Sequence, residues 1–176
     1  MKKWFAILLA LVLGLTACGE GNTVEPEVPD VGKANGFELR LYTDKESYTT
    51  REEIRIWATL EYKGEADTVT IWHGRPYITF SISDGKDFQT GGMVATILNS
   101  TTLERGVVYE FDYAKSGAYS EDDPDADFWR EFYQTETLKL PAGTYTVTVN
   151  GDFYLSEWQL PEEHGPSAQV QITVTE

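Results

Sequence analysis

The sequence predicts an all-β fold, an antiparallel sandwich of two sheets interrupted by one short helical insertion. Three observations carry this. From Phe37 onward apolar and polar residues alternate through most of the chain, the pattern of strands buried on one face. Gly- and Asp-containing breaks fall between the alternating stretches, at "YKGEAD" (62–67), "SDGKD" (83–87) and "LERG" (103–106), where a chain turns. Only "EDDPDADFWREFYQ" (121–134) changes period, its aromatic residues recurring four apart, as on one side of a helix.

The strands follow in order. Phe37, Leu39 and Leu41 share one face of "FELRLYT", and Ile54, Ile56, Ala58, Leu60 and Tyr62 share one face of "EIRIWATLEY". "TVTIW" offers Val69 and Ile71, "YITFSI" offers Ile78, Phe80 and Ile82, and "MVATIL" offers Met93, Ala95 and Ile97. "VVYEFDY" places Val107, Tyr109, Phe111 and Tyr113 together, "TYTVTV" places Tyr145, Val147 and Val149, and "AQVQITVT" places Val170, Ile172 and Val174. About eight short strands joined by tight turns form a sandwich. In the helical segment Asp123 is expected to cap the first free amides, with Pro124 at the first helical position and Asp125 and Asp127 facing the positive end of the dipole. The helix is expected to cross from one sheet to the other and to plug an open end of the sandwich with its aromatic face.

The amino terminus has a different character. Lys2 and Lys3 precede a nearly uncharged run from Trp4 to Leu15, the layout of an export signal. The run is too short to span a bilayer, which takes roughly 20 apolar residues. "LTAC" (15–18) follows, and Cys18 is the chain's one cysteine. This motif, in this position, resembles the lipobox of bacterial lipoproteins, against the alternative of an ordinary secretory peptide with an incidental cysteine. The resemblance implies that residues 1–17 are removed and that the Cys18 thiol carries a diacylglyceryl anchor, placing the protein on the extracytoplasmic face of a cell membrane. Two acyl chains hold a protein on a bilayer where one does not. Residues 18–35 contain Gly, Pro and acids without apolar periodicity and are expected to be a flexible tether. The sandwich domain is then 36–176.

"LKLPAGTYTVTV" (138–149) resembles a stretch of immunoglobulin-like domains in which a Pro-Gly turn precedes a tyrosine whose hydroxyl ties down the corner between sheets; Tyr145 stands at that position. A wider resemblance runs through "YKGEADTVTIWHGRPYITFSISDGKDF" (62–88). With the later Leu-Pro-Ala-Gly-Thr-Tyr stretch, this segment is similar to the bacterial intracellular proteinase inhibitor (BsuPI-like) family of immunoglobulin-like domains. The resemblance implies an immunoglobulin-like fold and, as one function, protease inhibition through the turns around His73 to Tyr77 and Asp84 to Asp87. The tryptophan-rich stretch expected after Asp84-Gly85-Lys86 is replaced here by Asp87-Phe88-Gln89-Thr90-Gly91-Gly92.

Composition bounds the partners. The net charge is −15, and loss of Lys2 and Lys3 with the signal lowers it by a further two, to −17. Such a surface repels phosphate backbones, so nucleic acid is excluded as a partner. A single cysteine leaves no intrachain disulfide, no CxxC pair and no cysteine-rich zinc site. His73 and His164 are the only histidines, and neither a GxSxG elbow nor an HExxH motif occurs. No catalytic set and no cofactor are assigned, and an enzyme is not expected. Asp123, Asp125 and Asp127 repeat the opening of a calcium loop, but Phe128 stands where that loop needs Gly and Gln134 where it needs a bidentate Glu. They are weak calcium candidates beside their helix-capping role. Trp57 and Trp72 fall on faces opposite the aliphatic ones, where exposed rings could stack on sugars. With His73, Arg75 and Tyr77 they are the candidate binding residues. The expected function is a membrane-anchored, non-catalytic interaction module for an extracytoplasmic protein or glycan, with proteinase inhibition and cell-wall glycan binding as alternatives.

Overall fold

A computed structural model describes residues 30–176. The proposed signal, the anchor at Cys18 and most of the proposed tether lie outside the described residues. The chain forms β1 (Asp30–Ala34), β2 (Phe37–Thr43), β3 (Ser47–Thr49), β4 (Ile56–Tyr62), β5 (Thr68–Ser83), β6 (Gln89–Gly91), β7 (Ala95–Glu104) and β8 (Val108–Asp112). Then come α1 (Ala126–Gln134), β9 (Gly143–Tyr154) and β10 (Ser167–Thr175). One sheet has the order β1-β2-β4-β8; the other runs β3-β10-β9-β5-β6, with β7 also on β5. Pairings between these strands are antiparallel except β3 with β10. With β2, β4 and β8 facing β5, β9 and β10, the chain is an all-β, immunoglobulin-like sandwich with a short helical insertion.

The core follows the alternation. Leu39, Leu41, Ala58 and Leu60 from the first sheet are buried against Ile71, Ile82, Val147, Val149, Phe153 and Ile172 from the second. Aromatic pairs stitch the layers together: Phe37 meets Phe153 edge-on at 4.9 Å, and Tyr77 meets Phe111 at 5.4 Å. The tyrosine corner forms as its sequence implies, with the Tyr145 hydroxyl donating to the Pro141 carbonyl at 2.9 Å. At the other sheet switch Tyr48 is buried; its hydroxyl donates to Asp44 Oδ1 at 2.7 Å and accepts from the Lys45 amide at 2.9 Å.

Four expectations need correction. Residues 30–34, assigned to the tether, form β1 and pair with β2 through an Asn35-Gly36 turn with positive φ at both positions, the two-residue hairpin that this dipeptide favours. The ordered domain therefore begins no later than Asp30. Secondly, "WHGRP" is not a turn between two strands. It lies inside the single strand β5, where Gly74 to Tyr77 bulge out opposite Asp152 of β9 and pairing resumes at Ile78. Thirdly, Met93, Ala95 and Ile97 do not face the core. Ala95 and Ile97 lie on β7 at the edge of the sheet and Met93 just before it, all three exposed. Finally, α1 starts at Ala126, so Pro124 is not its first residue; Asp123 holds the approach instead, its Oδ1 accepting from the Asp125 amide at 2.8 Å.

The helix does cross between sheets, joining β8 to β9, and it plugs one end. Phe132 is buried in the core, and Trp129 and Tyr133 pack partly against it. Lys115 completes the far end of the helix, its amine donating to the carbonyls of Phe132 and Thr135 at 2.6 and 2.7 Å. A cation there satisfies carbonyls that have no partner within the helix, and burial pushes the Lys115 pKa down.

Candidate functional site

The candidate binding residues do not form one surface. Trp57 sits in β4 between buried Ile56 and Ala58, and Trp72 in β5 between buried Ile71 and His73. Each ring therefore points outward from its own sheet, on opposite sides of the sandwich. Trp57 is already occupied: Tyr42, directly across on β2, stacks on it at 5.2 Å, and the Arg55 guanidinium lies 5.0 Å from its ring centre. His73 is only 4% exposed. Its Nδ1 bonds the Gly74 carbonyl, which can only accept, so Nδ1 carries the hydrogen; Thr101 Oγ1 lies 2.8 Å from Nε2. With both nitrogens engaged, His73 holds β5 against β7 and is not free to meet a ligand. Tyr77 packs between His73 and Phe111, and burial raises its phenol pKa. Of the five, Arg75 alone is exposed.

The acidic residues behave differently. Among the described residues no group of three or more His, Cys, Asp or Glu is placed to hold a metal ion. Asp127 is turned to solvent in an ion pair with Arg130. Asp123 and Asp125, however, line the rim of a cleft of about 680 Å³ whose other walls come from distant parts of the chain.

Three structural pieces build this cleft. The β5–β6 turn contributes Asp84, Lys86, Asp87 and Phe88; the approach to α1 and its first turns contribute Asp123, Asp125, Phe128 and Trp129; the tyrosine corner contributes Pro141, Ala142 and Tyr145. Asp84 shapes the turn, its Oδ1 accepting from the amides of Lys86 and Phe88 at 2.8 and 3.1 Å. Phe88 is the hub beneath. It contacts Phe128, Trp129, Phe132 and Tyr145 with ring centres 5.2 to 6.3 Å apart. The tyrosine corner and the helix thus clamp the same ring, which fixes the cleft floor.

Chemically the cleft is an aromatic floor under a carboxylate rim. Asp87 and Asp125 are exposed, and their carboxylates have no hydrogen-bond or ion-pair partner among the described residues. Lys86 is the one basic residue in the lining. Carboxylates beside a low-dielectric wall concentrate cations, and aromatic faces attract them further through the ring quadrupole. Sequence reasoning named Asp84 to Asp87, Asp123 and Asp125 for other reasons, and it missed Phe88. It also missed Trp158, which is 83% exposed in the β9–β10 loop; a tryptophan in a Pro- and Gly-flanked loop was the available signal.

No family model matches the chain, and no curated protein matches it. Among solved structures the chain is similar to Spo0M, the sporulation control protein from Bacillus subtilis, with a TM-score of 0.42 and 12% identity, over 81% of this chain and 50% of that one. The chain thus spans half the length of that structure.

Proposed function

We propose that the protein is a membrane-anchored, non-catalytic binding module of the extracytoplasmic face, whose cleft takes a cationic side chain, lysine or arginine, of a protein partner. The observation that supports this is the cleft itself, which unpartnered Asp87 and Asp125 line together with Phe128 and Trp129. The excess of acidic residues over the whole chain adds long-range attraction for a basic partner and raises its association rate. The tether and lipid at Cys18 are part of this reading: they confine the module near a surface and raise its effective concentration there.

Calorimetric titration with an arginine-rich peptide, and with a glutamate-rich peptide of equal length, tests the proposal. Binding of the first only, weakened by salt and by Asp125→Asn or Phe128→Ala, is the expected result. Equal binding of both peptides, or binding indifferent to these substitutions, contradicts it. Inhibition of a serine protease by the full chain would favour the proteinase inhibitor reading instead.

A further inference from the structure

A second depression, of about 290 Å³, opens on the second sheet where the ladder between β5 and β9 is broken. His73 pairs with Phe153 and Ile78 with Gly151, so Gly74 to Tyr77 bulge past the single residue Asp152. Bulges recur beside functional sites because they re-aim side chains that a regular ladder would hold in line. Gly74 is required here: a side chain at that position would collide with the Ala95 carbonyl and the Val94 side chain, which form one wall. The β9–β10 loop supplies another wall with Gln159 and His164. Gln159 is held at φ 54°, a left-handed conformation that is costly for a residue other than glycine and that clusters at ligand sites.

Polar groups meet in this depression with hydrogen-bonding capacity unspent. Asp152 Oδ2 accepts from the Thr79 hydroxyl, which leaves Oδ1 free. His164 Nδ1 lies 3.1 Å from the Gly165 carbonyl, which can only accept, so Nδ1 carries the hydrogen and Nε2 of the neutral ring is an acceptor. Nε2 and Asp152 Oδ1 stand 3.8 Å apart, two acceptors with no hydrogen to share. The Tyr154 ring meets His164 edge-on at 5.0 Å and holds the imidazole in place. Among the described residues the side chains of Thr96 and Gln159 have no hydrogen-bond partner, and no lysine or arginine lines the depression.

We propose that this depression binds a hexopyranose unit of a neutral glycan, at a site separate from the acidic cleft. Two acceptors this far apart suit two adjacent ring hydroxyls, one donating to Asp152 Oδ1 and the other to His164 Nε2. The Gln159 amide and the Thr96 hydroxyl, which both donate and accept, serve the remaining sugar oxygens. An anionic ligand would meet Asp152 with no cation to neutralise it, and among the described residues no third histidine or acid joins the pair to hold a metal ion. Trp158, next to Gln159 in the chain, is 83% exposed and offers a ring face to the apolar side of a sugar. Beyond Asp152 the outer face of β9 and β10 continues uncharged, through the pairs Asn150 with Ser167, Thr148 with Gln169 and Thr146 with Gln171. Further units of a glycan can lie along that strip without crossing a charge, on a chain whose net charge is −15.

The test is an amide chemical-shift titration of the full chain, in a zwitterionic detergent that has no sugar headgroup, with maltohexaose, cellohexaose and chitohexaose in turn. Saturable shifts at millimolar sugar with at least one of the three, clustered at Gly74, 94–98, 152–159 and His164 and including the Trp158 indole, are the expected result. Asp152→Asn keeps an oxygen for the Thr79 hydroxyl and so keeps the fold, yet it puts an amide where the sugar needs an acceptor; it is expected to weaken binding about fivefold or more. His164→Ala, at a half-exposed loop position, is expected to do the same. No saturable shift with any of the three sugars overturns the proposal. So do shifts that cluster elsewhere, or an affinity that both substitutions leave unchanged. No basic peptide enters these titrations, so their failure leaves the cleft reading untouched.

Discussion

Replacing Glu38 by glutamine tests how the structure handles a charge it has buried. Glu38 lies on the outer face of β2, yet its side chain is only 7% exposed, because Arg40, Lys63 and Lys33 close over it. Arg40 Nε donates to Oε1 at 2.7 Å, and the Lys63 and Lys33 amines lie 3.2 and 3.4 Å away. The Arg40 hydrogen bond, opposed by burial and helped by the two lysines, holds the Glu38 pKa at about 2 instead of 4.5. At about 1.4 kcal/mol per unit this is about 3 kcal/mol. The cations are themselves 40% to 70% exposed, and solvent screening reduces the figure to about 1–2 kcal/mol.

The folded state binds this proton more weakly than the unfolded state does. The contribution is therefore complete above pH 4.5 and is lost as the pH falls toward about 2. Urea denaturation followed by tryptophan fluorescence, at pH 7 and in steps down to pH 2, measures it. Glu38→Gln is expected to be about 1–2 kcal/mol less stable at pH 7, or roughly 3–6 °C in Tm, and to converge with the wild type at the acid end. A gap that persists unchanged at pH 2, or one below about 0.5 kcal/mol at pH 7, would show that the three cations do not stabilise the carboxylate as argued.

Tyr145→Phe removes the corner hydrogen bond to Pro141 while keeping the ring and is expected to cost about 1 kcal/mol by thermal or urea melting. Phe88→Ala empties the hub of the aromatic cluster and is expected to cost about 3–5 kcal/mol, with loss of near-ultraviolet ellipticity from Trp129. Cys18→Ser is expected to abolish acylation, detectable by the mass of the native product and by loss of detergent-phase partitioning; an unmodified thiol in the wild-type chain would refute the anchor.

The parts of the fold that sequence reveals are those where local pattern and tertiary environment agree. Phe37 to Leu41 and Val170 to Val174 alternate because one sheet face is buried, and the Leu-Pro-Ala-Gly-Thr-Tyr corner is a local hydrogen bond written in six residues. Elsewhere the two diverge. Asn35-Gly36 signals a hairpin, but β1 is a weakly alternating "DVGKA" after a Pro- and acid-rich stretch, and composition outweighed the turn. Gly74 and Pro76 punctuate β5, yet pairing with β9 on both sides of the bulge carries the strand through. Alternation at Met93, Ala95 and Ile97 predicts a shared face but cannot tell a core from an uncovered edge. The cleft was least legible of all, because it joins residues 84–88, 123–129 and 141–145, which only folding brings together.

The most direct test of the cleft as a receptor for a basic side chain is an amide chemical-shift titration of the full chain with an arginine-rich peptide. The five tryptophans blur a fluorescence signal, whereas individual amides resolve the site. Saturable shifts clustered at Asp84–Phe88, Asp123–Trp129 and Pro141–Tyr145, together with the Trp129 indole, are the expected result. Shifts spread evenly over the acidic surface, or none in these three segments, would contradict the account.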